Sequence, residues 1–279
     1  MMRITRHLAK AAAVGIALGF ATPTVAATEE EVRALSVALD LERVIAIMSE
    51  EGARHGATIK SDMFPDRTSG AWEQTVETIY NPERMQAVVE QRFATELADT
   101  DVGPLLEFFE SPRGERIVDL ELDAREALLE PDVEAVAEET WTRMLREGEP
   151  RATLLEAYVE ANDLVEANVS GSMNASYAFY RGLADGGAFD GMGESEILAE
   201  VWAQEDDIRA DTEAWVYSFT ALAYRPLDDQ DLQAYTAISK TEAGQDLNRA
   251  LFAAFDEMYF VISRALGIAA AGELLGQDI

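Results

Sequence analysis

Ser111-Pro112-Arg113-Gly114-Glu115 opens the stretch whose reading decides the fold. Ser111 is a helix-capping residue, Pro112 carries the preset φ that suits a first helical position, and Glu115 stands in the positive first turn. Downstream, Ile117, Leu120, Ala124 and Leu128 recur at spacings of three and four, which predicts one buried stripe along an amphipathic helix. The same order of cap, glycine and apolar stripe returns 130 residues later, at Thr241, Gly244, Leu247, Phe252, Ala254 and Met258. That shift also places Trp72 on Trp202 and Asp99-x-Asp101 on Asp229-x-Asp231. Upstream, Asp40-Leu41 matches Asp163-Leu164 only after a shift of 123, which implies an insertion near 185–193. Each matched position has the same physical role, so the chain reads as an internal duplication.

Working outward, helix signals dominate. Glu29 to Arg54 alternates apolar residues with charges at helical spacing and reads as one amphipathic helix. Residues 56–70 read as a loop and Trp72 to Tyr80 as a short helix. Asn81-Pro82 opens another helix, with Asn81 as the cap. Asp101 opens a further short helix, Pro131 starts one to about Arg146, and Thr153 to about Leu183 reads as one long helix. No run with period two demands a sheet. The expected fold is all-α, two tandem helical repeats packed side by side as bundles. The organisation expected is 1–27 signal peptide, 28–147 first repeat and 148–279 second repeat, with Gly148-Glu149-Pro150 as the hinge.

The signal-peptide reading rests on Arg3, Arg6 and Lys10, the short apolar run Ala11 to Ala21, and the small residues Val25-Ala26-Ala27. The run is shorter than the roughly 20 residues a membrane span needs. With no cysteine in the chain, a lipid-anchored lipoprotein is also excluded. A soluble periplasmic protein beginning near Thr28 is expected, without a stable membrane anchor. The last helix, about Glu242 to Leu275, is very apolar. Leu247, Leu251, Phe255, Met258, Ile262 and Leu266 form a continuous stripe, so it reads as a core helix. Phe255→Asp is expected to damage it far more than Gln245→Asp.

Residues 80–130 resemble the bacterial export-associated domain-of-unknown-function family numbered 2059. The resemblance rests on Phe108-Phe109-Glu110-Ser111-Pro112-Arg113-Gly114, preceded by Leu105-Leu106. In the second half Ile238-Ser239-Lys240-Thr241-Glu242-Ala243-Gly244 lacks the aromatic pair and the proline. The resemblance implies an all-helical fold and an exported protein; it supplies no active residue.

Composition excludes several chemistries. The net charge is −31, and 53 acidic residues repel phosphate backbones, so nucleic acid is not expected as a partner. Without cysteine there is no thiolate catalysis, zinc–thiolate site or iron–sulfur cluster. His55 is the only histidine after the expected cleavage site and reads as a surface residue at a fraying helix end. The loop Asp185 to Glu196 fails the calcium-loop pattern, because Gly187, Phe189 and Asp190 stand where ligands and a glycine are needed. No cofactor, metal or catalytic residue is assigned. Ser111, Pro112, Gly114, Thr241 and Gly244 are read as structural helix starts, and Trp72 and Trp202 as candidate interface residues. The function expected is non-enzymatic binding or scaffolding, with a protein or small apolar ligand held in the inter-repeat groove or on an exposed helix face. The alternative is a carboxylate-based hydrolase acting on cell-envelope polymers.

Overall fold

A computed structural model describes residues 26–66, 70–189 and 193–276. The described residues form thirteen α-helices and no strand. The first six are α1 (Glu29–Ala38), α2 (Leu41–Met63), α3 (Ala71–Ile79), α4 (Pro82–Glu96), α5 (Gly103–Phe109) and α6 (Pro112–Ala127). After α7 (Pro131–Glu147) come α8 (Pro150–Ala161), α9 (Leu164–Asp185), α10 (Glu194–Ala203), α11 (Glu205–Ala223), α12 (Asp229–Ser239) and α13 (Glu242–Leu275).

The helix starts follow from the capping residues. Thr28 and Glu31 form a reciprocal capping box at the head of α1. Ser111 Oγ accepts from the Gly114 amide at 3.2 Å, and Thr241 Oγ1 accepts from the Gly244 amide at 3.0 Å. Asn81 caps α4 in the same way. Both glycines face the preceding turn at close range. A Cβ on Gly114 would lie 2.2 Å from the Phe108 carbonyl oxygen, and one on Gly244 would lie 2.1 Å from that of Ile238. Glycine is needed at both positions because backbone occupies the space.

Three boundaries differ from the sequence reading. The expected helix 29–54 breaks at Asp40, and the expected helix 153–183 breaks at Asp163. Among the described residues these two aspartates are the non-glycine residues with left-handed φ, 47° and 49°. Short polar Asp tolerates that conformation, and each break turns a short helix into a long one. Of the expected loop 56–70, residues 56–63 are helix, since α2 runs on to Met63, and 67–69 lie outside the described residues. Gly52 and Gly56 are notches there, not terminators. A Cβ at Gly52 would run into the Tyr80 ring and one at Gly56 into Val76, so α3 and its C-terminal cap dock directly on the α2 backbone.

The helices α1 to α6 and α8 to α13 run in the same order with alternating short and long members, but the halves do not close as two separate bundles side by side. α13 lies along both α9 and α4, while α6 packs on α11. One apolar cluster joins Leu35, Phe93 and Leu105 to Leu247, Met258 and Leu266. A second joins Ile117 and Ala124 to Leu155, Tyr224 and Leu232. α13, the longest helix, spans both halves, packing on α9 and α12 of its own and on α2, α3, α4 and α5 of the other. α13 is long and apolar enough to cross a membrane, and half of its most apolar stretch is buried against the rest of the fold. Where α13 crosses α9 the backbones touch through Gly182 and Gly267.

Candidate functional site

The interlock leaves a cavity of about 930 Å³ between the halves. Its lining comes from α2, α5, α6, α8, α9, α11, α12 and α13. Most of the wall is apolar, including Leu105 and Phe109 from the first half and Phe219, Leu247, Leu251 and Phe255 from the second. This volume is at the upper end of what small-molecule sites enclose, about 300–1,000 Å³. Leu251 and Phe255 are therefore half-buried cavity wall, not closed core, which corrects the expected uniform stripe. Leu247, Met258, Ile262 and Leu266 are buried as expected.

Among the polar residues of the wall, two charged side chains of α6 stand out. Glu121 projects from α6, and its carboxylate accepts a hydrogen bond of 2.5 Å from the Tyr224 hydroxyl. The Tyr235 hydroxyl also acts on this carboxyl, and Tyr158 packs on both rings with centroids 5.1 Å and 4.9 Å away. Burial raises the Glu121 pKa to about 7 against the two tyrosine hydrogen bonds, which favour the anion. Burial likewise raises all three tyrosines, so they stay protonated. The remaining accessible surface of Glu121 faces the cavity.

The second group is Arg125, one turn further along α6. Its Nε and a terminal nitrogen donate to the two oxygens of Glu51 at 2.9 and 2.7 Å. This bidentate pair joins α2 to α6 beside Tyr259 of α13. Asp256 also lines the cavity and burial raises its pKa. Its carboxylate lies over Gly171 of α9, where a Cβ would come within 2.5 Å of Oδ1. His55 stands at the rim on α2, inside the helix and not at its end. Its outer face is exposed, while the loss of water on the inner face lowers its pKa.

The sequence-predicted residues fall elsewhere. Ser111, Pro112 and Thr241 act at helix starts, and of this set only Gly244 reaches the cavity wall. Trp72 and Trp202 are not equivalent, which corrects the sequence matching. Trp72 is the second residue of α3, buried, its indole nitrogen donating to the Gly56 carbonyl at 2.8 Å. Trp202 is near the end of α10 and 64% exposed. A shift of constant length misplaces them because the connections between helices differ in length. Asp228 caps α12 as its position suggests, while Asp229 and Asp231 reach across to Arg151 and Arg113. Asp185 pairs with Arg264 at 2.7 Å; Asp190, Gly191 and Met192 lie outside the described residues, as do positions 1–25 of the expected signal peptide. Among the described residues no group of three potential ligands forms a metal site.

Sequence reading missed Glu121 and the tyrosines around it. A signal for Glu121 existed: Ile117, Glu121 and Arg125 are spaced by four, so a carboxylate stands on the face that Ile117 buries. The tyrosines come from three separate helices and have no shared local pattern. The fold and this site define an all-helical protein with a large open cavity between its halves. No family model, curated protein or solved structure matches the chain.

Proposed function

We propose that this chain is an exported, non-enzymatic binding protein whose inter-half cavity holds a small, largely apolar ligand. The observation that carries the reading is the cavity of about 930 Å³, walled by apolar side chains from both halves and marked by a few buried polar groups. Export to the periplasm, without a stable membrane anchor, belongs to the same proposal. It is supported by Arg3, Arg6 and Lys10 ahead of the apolar run, and by Thr28, which caps the first helix just after the expected cleavage site. Internal duplication belongs here too, supported by the paired helix order, the left-handed Asp40 and Asp163, and the twin Ser111–Gly114 and Thr241–Gly244 caps. The resemblance of residues 80–130 to family 2059 is consistent with both. Nucleic acid is not proposed as a partner, given the net charge of −31.

The test is displacement of an environment-sensitive apolar dye from the purified exported protein. The wild type is expected to bind one dye per chain. Ala175→Trp, which fills part of the cavity from α9, is expected to abolish binding while the helical spectrum is unchanged. Equal dye binding by the two proteins would reject the cavity as the site.

One observation supports the hydrolase reading: Glu121 and Asp256 are two carboxyls raised by burial in one cavity wall. The larger apolar share of the wall, with Leu247, Leu251 and Phe255 along one side, favours the binding reading. Turnover of envelope polymers by wild type, lost in Glu121→Gln, would reverse the preference.

A further inference from the structure

The cavity wall contains charge of mainly one sign. Its charged or titratable side chains of ordinary range are Glu51, His55, Asp62, Glu121, Arg125 and Asp256. Arg125 is the only arginine or lysine among them, and Glu51 engages it bidentately. His55 is held toward its neutral form by partial burial. Asp62 lies at the exposed rim, with Ser61 Oγ donating to it at 3.1 Å. That leaves Glu121, set among three tyrosines, and Asp256, which has no hydrogen-bond or ion-pair partner among the described residues. Above about pH 7, where Glu121 is ionised, an anion entering this chamber would meet two carboxylates and no free cation. A cation would meet the Glu121 and Asp256 carboxyls with no free cation competing for them, in a site where an ion pair is less screened than in bulk water.

We propose that the ligand is a hydrophobic cation: an alkyl- or aryl-substituted amine or quaternary ammonium, its charged end at the cavity-facing carboxylate of Glu121, its apolar body along Leu247, Leu251 and Phe255. The proposal rests on the binding reading above and adds the sign of the ligand's charge. The acidic exterior works in the same direction, concentrating cations near the entrance. A fatty carboxylate of the same length is disfavoured, because placing it beside Glu121 brings two carboxylates together in a poorly solvated space.

Titration calorimetry with three probes of one chain length tests this: dodecyltrimethylammonium, dodecanoate and 1-dodecanol, each below its aggregation limit. Dodecyltrimethylammonium is expected to bind at least about tenfold more tightly than dodecanoate, with the alcohol between them. Glu121→Gln is expected to weaken the ammonium probe by about tenfold and leave the alcohol within about twofold. Asp256→Asn is expected to weaken the ammonium probe by a smaller factor. Glu115→Gln, an exposed acid on α6 away from the cavity, controls for adsorption to the acidic surface. Equal affinity for the cationic and anionic probes, or equal losses in Glu115→Gln and Glu121→Gln, would overturn the cation assignment while dodecanol binding kept the cavity reading intact. Failure of all three probes to bind would overturn both.

Discussion

Replacing Glu121 by glutamine should change the stability of this protein in a strongly pH-dependent way. The side chain keeps its shape and its acceptor for the Tyr224 hydroxyl, and loses only its charge. In the folded chain burial raises the carboxyl from an ordinary 4.5 to about 7. The unfolded chain therefore ionises first as pH rises, so this group's contribution to stability falls between about 4.5 and 7 and is level above that. The gap corresponds to at most about 3 kcal/mol, less to the extent that water in the cavity solvates the carboxylate. Urea unfolding of both proteins at about pH 4.5 and about pH 8 isolates the effect, because the other acids cancel in the difference. The variant should gain up to about 3 kcal/mol on the wild type between the two conditions, roughly 5–10 °C in melting temperature for a chain of this size. A difference that stays constant with pH would refute the reasoning, since Glu121 would then ionise as freely as a surface acid.

Gly114→Ala and Gly244→Ala should each cost about 1–3 kcal/mol in thermal or urea unfolding, because each Cβ meets a carbonyl oxygen at close to 2 Å. Gly70→Ala, with open space around it, should be neutral. Trp72→Ala should cost about 3–5 kcal/mol and Trp202→Ala less than about 0.5, and comparable losses would contradict their exposures of 1% and 64%. On α13, Met258→Asp should be severe and the exposed Val261→Asp mild. Gln245→Asp, tolerated by the sequence reading, should instead cost about 1–3 kcal/mol: the Gln245 amide donates to the carbonyls of Ala161 and Ser239, and a carboxylate would face both oxygens without a proton.

Much of the local structure was legible before any coordinates. Ser111, Thr241 and Asn81 cap where they were expected to, because capping is settled within four residues and needs no tertiary partner. The helical class follows from apolar spacing. Boundaries governed by distant contacts were misread. Gly52 and Gly56 look like loop residues, yet they are helical because Tyr80 and Val76 need the space their missing side chains leave. The interlocking of the halves depends on where α13 finds enough apolar surface, which couples residues more than a hundred positions apart. The site belongs to that same level. Nothing local marks Tyr158, Tyr224 and Tyr235 as neighbours of Glu121, and the carboxylate's raised pKa exists only once the surrounding helices have removed most of its water. The sequence by itself determined the helices, their caps and the sign of the charge. Tertiary packing alone decided which carboxylates became buried, because burial needs the helices of both halves around them.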